Sequence, residues 1–298
     1  MIDLGRLRAL AAVATHGTVH QAAAALHCTP SAVSQHLAKL EREMRMPMFV
    51  KHGRLLRLTD AGALLAEHAA GILAAVETAE SALEAHRGAV AGHVTLAAFA
   101  TACRALAPTV LRRLGADHPD LAVTLLETDH RAGVEQLVRG EADVAVVDDW
   151  PEVPARFPER LSHELLGHDS ADLVVPAGHP LAGRESVRLS ELAGERWIAS
   201  MPGSTCHTWY AQAIPGIAAA CHVSEFESQY ALVAAGLGVA MSPRLARNGT
   251  PPGTVVVGLD PVPRRRVHLV WRTATASRPP VTALLDALRE AWKGLEPA

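Results

Sequence analysis

The stretch Thr29-Pro30-Ser31-Ala32-Val33-Ser34-Gln35-His36-Leu37 decides the architecture of the first part of this chain. Thr29 suits the N-cap of a helix, and Pro30 suits its first turn. Beyond them, apolar residues recur at spacings of four, three and four, which predicts one buried stripe along the helix. The stripe consists of Val33, Leu37, Leu40 and Met44. Short polar side chains occupy the opposite face, as in a helix that enters a DNA groove.

The residues around this helix complete the pattern of a winged helix-turn-helix. A first amphipathic helix is expected over residues 4–17, and a shorter, alanine-rich one over residues 18–26. After the recognition helix, basic residues flank the pair Leu55-Leu56, which indicates a small β-wing. These basic residues are Lys51, Arg54 and Arg57. An alanine-rich helical hairpin is the alternative, but Pro30 and the basic wing favour a DNA-binding domain over residues 1–60.

Charge is distributed unevenly along the 298 residues. Residues 1–60 hold eight basic and four acidic side chains, a net charge of +4, whereas the whole chain carries −3. The remaining residues are therefore acidic, with a net charge of −7. A basic N-terminal segment on an acidic remainder indicates double-stranded DNA as the partner of that segment.

Two groups of polar residues are candidates for DNA contact. The candidates for base edges are Ser31, Ser34, Gln35 and His36. Gln35 is the strongest of them, because an amide can bond adenine in two places. The candidates for phosphate contact, which positions a protein without reading sequence, are Thr29, Lys39, Lys51 and Arg54. Helix capping by the serines and a solvated loop around Lys51 are the structural alternatives.

A long helix is predicted after the wing, capped by Thr59-Asp60 and running to about His86. Residues on one of its faces step by three or four: Leu65, His68, Ile72, Val76, Ala79 and Leu83. A helix of about 28 residues spans roughly 42 Å, which is longer than a small domain needs. We therefore interpret residues 61–88 as a linker helix that forms a dimer, with a core helix of the following domain as the alternative.

From residue 89 onward, strands alternate with helices, which is typical of an α/β domain. Strands are expected at residues 93–99, 121–126, 142–147, 173–176, 197–200, 223–226, 239–240 and 267–271. Helices are expected at residues 101–114, 130–139, from 204, and at 228–235 and 281–292. The segment Asp148-Asp149-Trp150-Pro151 interrupts the alternation, so we place a hinge there. The α/β domain of residues 89–298 then has lobe 1 at about 92–149 and 266–298, and lobe 2 at about 160–262.

Two helices should begin where strands end, near Thr101 and near Ser204. Each helix start offers unpaired amides and a partial positive charge, and ligands of open α/β sheets lie beyond the carboxyl ends of strands. The ligand-binding candidates are Phe99, Ala100, Thr101, Asp148, Ser200, Met201, Ser204, Thr205 and Tyr230. Short hydroxyls beside helix starts, without tryptophan among them, favour a small carboxylate as the ligand. A structural role in a loop is the alternative for each residue.

Other classes of protein are disfavoured by what the sequence lacks. It has no basic segment followed by a long apolar run, and no apolar stretch long enough to cross a membrane. Four scattered cysteines without a CxxC pair suit free thiols in a reducing cytoplasm. The histidines are scattered, so neither a metal site nor a cofactor is expected. No GxSxG, P-loop, HExxH or Rossmann glycine motif appears, which disfavours an enzyme.

The chain resembles the LysR-type transcriptional regulators over essentially its full length. The resemblance to the family's DNA-binding signature lies in residues 17–25, 30–35, 40–41, 47–49 and 58–62. Downstream landmarks occur in the family's order at residues 118–120, 140–145, 179–181 and 235–240. The resemblance implies a winged helix-turn-helix, a dimerising linker helix and a two-lobed domain like the periplasmic binding proteins. It also implies homotetramers that bend promoter DNA, a small effector in the cleft between the lobes, and RNA polymerase as a further partner.

The resemblance also raises an alternative mode of regulation at Cys206. Peroxide-sensing members of the family carry a reactive cysteine close to this position, with a partner cysteine a few residues later. Here the next cysteine is Cys221, which lies further along the chain and beyond an expected helix. The leading hypothesis is therefore a regulator controlled by a small molecule, with redox sensing through Cys206 as the alternative and an enzyme on the same scaffold as a third.

Overall fold

The structure, a computed structural model, describes residues 3–52, 55–214 and 216–295. The chain divides into two compact units, Met1–Arg87 and Gly88–Ala298. No helix within the described ranges is long and apolar enough to cross a membrane.

The first unit has the predicted winged helix-turn-helix followed by a long helix. Its elements are α1 (Leu4–His16), α2 (Val19–Ala25), α3 (Pro30–Met44), β1 (Phe49–His52), β2 (Leu55–Leu58) and α4 (Asp60–Arg87). Strands β1 and β2 form an antiparallel hairpin. The cap of α3 is the predicted one, because the Thr29 hydroxyl accepts a hydrogen bond of 3.2 Å from the amide of Ala32. Gly17, at a φ of +75°, ends α1 in the left-handed conformation that glycine adopts without strain.

One apolar core joins the helices of this unit. The predicted stripe residues Val33, Leu37 and Leu40 are buried there, together with Leu7, Leu10 and Met48. Helix α4 contributes Ala69, and Leu65 packs partly buried against the same core. Leu65 is therefore placed inside the first unit, and the large apolar side chains that α4 leaves exposed are Leu64, Ile72 and Leu83.

The second unit is a mixed α/β structure. Its strands are β3 (Gly92–Ala98), β4 (Leu121–Glu127), β5 (Val144–Asp149), β6 (Leu161–Pro176), β7 (Ser186–Arg188), β8 (Arg196–Ala199), β9 (Ala218–His222), β10 (Ala240–Pro243), β11 (Thr254–Asp260) and β12 (Arg264–Arg272). Its helices are α5 (Ala100–Ala105), α6 (Ala107–Asp117), α7 (His130–Arg139), α8 (Thr205–Ala213), α9 (Phe226–Ala234) and α10 (Pro279–Lys293). Together with the winged domain, these elements confirm the expected α/β fold class.

An eight-stranded sheet runs through the second unit. Its strand order is β4-β3-β5-β12-β6-β11-β7, and β10 pairs with β6 outside this path. Strand β6 is 16 residues long, and it pairs with β12 in its first part and with β10 and β11 in its second part. The late strand β12 also pairs with β5, so the end of the chain returns to the first strands of the unit. Separate apolar cores flank the two parts of the sheet, one around α6 and α10, the other around Trp150 and Trp209.

Several predicted elements differ from the observed ones for local reasons. The helix expected over residues 101–114 is two helices, because Pro108, in the first turn of the second, has no amide to donate to the carbonyl of Arg104. The strand expected at 223–226 is instead β9, at Ala218–His222, and Phe226 already begins α9. The first part of β6, and all of β7 and β11, were not predicted.

Candidate functional site

The exposed face of α3 carries the predicted base-contact residues. Ser31, Ser34, Gln35 and His36 are all exposed, as are the phosphate candidates Thr29 and Lys39. The Ser34 hydroxyl donates to the carbonyl of Pro30, and the Ser31 hydroxyl lies 3.0 Å from that of Thr29. Within the described part of the chain the Gln35 side chain makes no hydrogen bond, so its amide is available for an external partner. Arg54 and the side chain of Lys51 lie outside the described residues.

The second unit contains a pocket of about 730 Å³ at the carboxyl ends of β3 and β5. It is lined by eight of the nine predicted effector-binding residues: Phe99, Ala100, Thr101, Asp148, Ser200, Met201, Ser204 and Thr205. Helix α8 begins at its wall, where the Ser204 hydroxyl caps the helix by accepting from the amide of His207 at 3.1 Å. Tyr230 is not among the lining residues. It is buried in a separate apolar cluster, with its hydroxyl 2.5 Å from that of Ser242.

A buried arginine, Arg265, holds the base of this pocket together. It is 2% exposed, and it forms ion pairs with Asp148 at 3.0 Å and Asp169 at 2.7 Å. It also donates to the Thr101 hydroxyl at 2.7 Å, and its guanidinium lies 4.8 Å from the centre of the Phe99 ring. Burial alone would lower the pKa of Arg265, but the two carboxylates outweigh it and raise that pKa above its ordinary value. Arg265 is therefore a permanent cation that bridges α5, β5 and β6.

Sequence reasoning missed Arg265, because it lies in the run Arg264-Arg265-Arg266 that resembles a solvated loop. One signal was present: in a strand, alternate residues share a face, so Arg265 falls on the same face as the apolar Val267 and Leu269. Both of these residues are buried. The lining segment Glu127-Thr128-Asp129-His130-Arg131 was also missed, since it connects two elements without a motif.

Cys206, the second residue of α8, lines the same pocket and is buried. Burial raises the pKa of its thiol to about 12, with the positive charge of Arg265 opposing that shift and the carboxylate of Asp148 adding to it. The thiol is therefore protonated at neutral pH, although it lies at the start of a helix.

The described residues do not bring three or more His, Cys, Asp or Glu side chains together as ligands for a metal ion. What the pocket offers is a cavity with hydroxyls, one buried ion-pair network and carboxylates. These are groups that bind a small polar molecule, and they do not form a nucleophile with an adjacent base.

Two protein-family models match the chain. The model described as a bacterial regulatory helix-turn-helix protein of the lysR family matches residues 4–63. The LysR substrate binding domain matches residues 87–293. The two matches cover the winged domain and the unit that holds the pocket.

Individual relatives agree with these models. A probable hydrogen peroxide-inducible genes activator from Streptomyces viridosporus is 30% identical, over 98% of this chain and 95% of that protein. The transcriptional activator IlvY from Salmonella typhimurium is 26% identical, over 91% of this chain and 90% of its own length. Among solved structures, a full-length OxyR variant from Pseudomonas aeruginosa has a TM-score of 0.72 at 21% identity, with 98% of this chain and 95% of that one covered. The chain therefore belongs to the LysR family of DNA-binding transcriptional regulators, which are not enzymes.

Proposed function

We propose that this regulator binds promoter DNA through α3 and the wing, and that a small molecule in the pocket changes this binding. The supporting observation is that one chain contains both a helix-turn-helix and a pocket whose volume is typical of ligand sites. The domain limits that we propose are residues 1–60, 61–88 and 89–298. The cytoplasm as its location, a homotetramer as the DNA-bound form and contact with RNA polymerase belong to the same proposal.

The test uses the intergenic DNA beside this protein's own coding region. We expect a mobility shift at concentrations that leave random DNA unbound, and a footprint that changes when a fraction of small metabolites is added. Ala100→Trp, which fills the pocket from an exposed lining position, should retain the footprint and lose the response to metabolites. Equal binding to random and intergenic DNA would contradict the proposal, and so would a response that Ala100→Trp leaves intact.

The partners of Arg265 bear on the charge of the ligand that this pocket can bind. A small carboxylate was expected from the helix starts and hydroxyls, and a guanidinium free to pair with it would favour it further. Arg265 already bonds two carboxylates, and one of these, Asp148, also accepts a hydrogen bond from Thr205, the first residue of α8. The geometry therefore supports a small polar effector without supporting its predicted negative charge.

Substitution of Gln35 tests the proposed reading of DNA. Gln35→Ala should cost about 1–3 kcal/mol at one base pair and relax the preference there, because a bidentate amide contact discriminates between bases. Lys39→Ala, one turn further along α3, serves as the control. It should weaken binding to all sequences alike and reduce the salt slope by about one. Binding measured against a set of single-base variants separates the two results, and a uniform loss for Gln35→Ala would reject the base contact.

Helix α4 is the proposed dimer contact. Its exposed apolar residues Leu64, Ile72 and Leu83 lie on one face at helical spacing, and Ile72 and Leu83 are 41% and 66% exposed. Ile72→Asp should abolish the dimer, since it would place a carboxylate without a partner in the interface. Ala70→Asp, on another face of the same helix, should leave the dimer unchanged. Light scattering measures both, and a dimer that survives Ile72→Asp would exclude this face.

Redox control through Cys206 is a second candidate function, favoured by one comparison. A relative that spans the whole chain is named a probable peroxide-inducible genes activator, and Cys206 lines the pocket. The burial of the thiol opposes this candidate, because peroxide reacts with thiolates. The pocket as a site for a small molecule therefore remains the leading proposal.

Alkylation rates decide between the two candidates. Because burial raises the pKa of Cys206, its sulfur stays almost entirely in the unreactive thiol form at pH 7. We expect iodoacetamide to modify the exposed Cys28 first and Cys206 at least 100-fold more slowly, as followed by mass spectrometry of peptides. Modification of Cys206 ahead of Cys28, or oxidation of Cys206 by micromolar peroxide, would instead establish redox control.

A further inference from the structure

Asp148 has one carboxylate oxygen that no group in the pocket satisfies. The side chain is 95% buried, and both of its hydrogen bonds, from Arg265 and Thr205, reach the same oxygen, Oδ2. The other oxygen, Oδ1, accepts nothing from the described residues. It is not one of the fully enclosed unpaired atoms, so it keeps accessible surface, and Asp148 lines the pocket. A buried carboxylate oxygen without a donor is costly, which makes Oδ1 a docking point for a hydrogen-bond donor.

In Asp169, the second partner of Arg265, both carboxylate oxygens accept hydrogen bonds. Its Oδ2 accepts two bonds from Arg265, and its Oδ1 accepts one from the amide of Leu245 at 3.2 Å. The incomplete set of bonds is therefore specific to Asp148, the member of the pair that lines the pocket.

The two arginines that line the pocket are already paired with carboxylates. Arg265 is paired with two carboxylates, and the start of α8 faces Asp148 through Thr205. The other arginine of the lining, Arg131, is 88% exposed at its side chain and pairs with Glu135 at 3.2 Å. Both arginines of the described lining are therefore paired with carboxylates, and the remaining basic residue of that lining is His130.

Further carboxylates surround the opening of the pocket. Glu127, Asp129 and Glu225 line it and are exposed, and the described residues supply no ion-pair partner for them. Glu225 precedes Phe226 in the chain, and both line the pocket. Exposed carboxylates at an opening raise the local concentration of cations, while the buried one binds them more strongly.

We infer that the pocket binds a small cation that carries a protonated amine, and that the ammonium group donates to Oδ1 of Asp148. The inference rests on the proposed function of the pocket as an effector site. It replaces the expected carboxylate with a ligand of opposite charge.

The test compares three molecules of matched length: hexane-1,6-diamine, hexane-1,6-diol and adipate. Each is titrated into the full-length protein by calorimetry at low ionic strength. We expect the diamine to bind at least tenfold more tightly than the diol, and its affinity to fall as salt is added. Adipate should give no heat of binding. Equal binding of the diamine and the diol, or no binding of the diamine, would overturn the inference.

Substitutions then locate the binding. Asp148→Asn keeps the size and the acceptor for Thr205, and it should reduce the affinity for the diamine at least tenfold. The double substitution Glu127→Gln with Glu225→Gln decides the question if Asp148→Asn does not fold, and it should remove most of the salt dependence. Glu159→Gln, an exposed carboxylate outside the pocket, is the control and should change nothing. An unaltered affinity in the pocket variants would place the diamine elsewhere and overturn the inference.

The outcomes separate this inference from the proposed function. Tight binding of adipate that Ala100→Trp abolishes would refute the cationic ligand and support the pocket as an effector site. A footprint that no metabolite fraction changes would refute the proposed function, whether or not the diamine binds.

Discussion

Arg265→Met is expected to destabilise the second unit by about 3–5 kcal/mol, which is a large part of the stability of an ordinary domain. The substitution removes the shared partner of Asp148 and Asp169 and leaves two carboxylates buried without their counter-charge. It also removes the donor to Thr101 and the cation over the Phe99 ring. The pocket wall should lose its order in the same variant, because α5, β5 and β6 meet at this side chain.

Unfolding by urea, followed by tryptophan fluorescence, measures this loss. All five tryptophans of the chain follow residue 87, so the signal reports the second unit alone. The control is Arg264→Met, since Arg264 is exposed on the same strand and forms no ion pair with the described residues. Its effect should stay within about 0.5 kcal/mol.

A compensating substitution tests whether unpaired buried charge causes the loss of stability in Arg265→Met. Adding Asp169→Asn to Arg265→Met removes one of the two unpaired charges and keeps an acceptor for the amide of Leu245. The double variant should therefore be more stable than Arg265→Met alone. A loss below 1 kcal/mol for Arg265→Met, or no recovery in the double variant, would contradict the role we assign to the network.

Gly62→Ala is expected to disrupt the first unit and abolish DNA binding. Gly62 lies in the first turn of α4, and a methyl group there would overlap the backbone carbonyl oxygen of Met48. The same oxygen accepts the hydrogen bond from the amide of Thr59, so it cannot move without separating the wing from α4. Overpacking against backbone costs about 1–3 kcal/mol or more, and here it acts on the junction that holds the wing.

Gly71→Ala is the matched control on the same helix. Nothing lies within 4 Å of the position that its methyl group would take. Because alanine is the better helix former, this variant should gain about 0.5–1 kcal/mol. Circular dichroism follows the helices of both units and tryptophan fluorescence follows the second unit alone, so a transition seen only by circular dichroism reports the first unit. Equal melting temperatures of Gly62→Ala and Gly71→Ala would show that the contact with the Met48 carbonyl oxygen can relax.

The sequence by itself determined the first unit and its exposed face. The caps at Thr18 and Thr29, Pro30 at the start of α3, and the stripe of Val33, Leu37 and Leu40 all act within a few residues of each other. Such signals need no distant partner, because a helix is defined by contacts three and four residues apart. The helices before the wing, the wing and α4 therefore stand close to where they were predicted.

Only the tertiary structure decided the chemistry of the pocket. Arg265 lies 96, 117 and 164 residues from Asp169, Asp148 and Thr101, and the pairing of β12 with β5 and β6 brings them together. Strand alternation indicates the face on which Arg265 lies but not its partners, and a cysteine at a helix start carries no local sign of a raised pKa. Both properties arise from desolvation and from partners distant in sequence, which the sheet supplies when it forms.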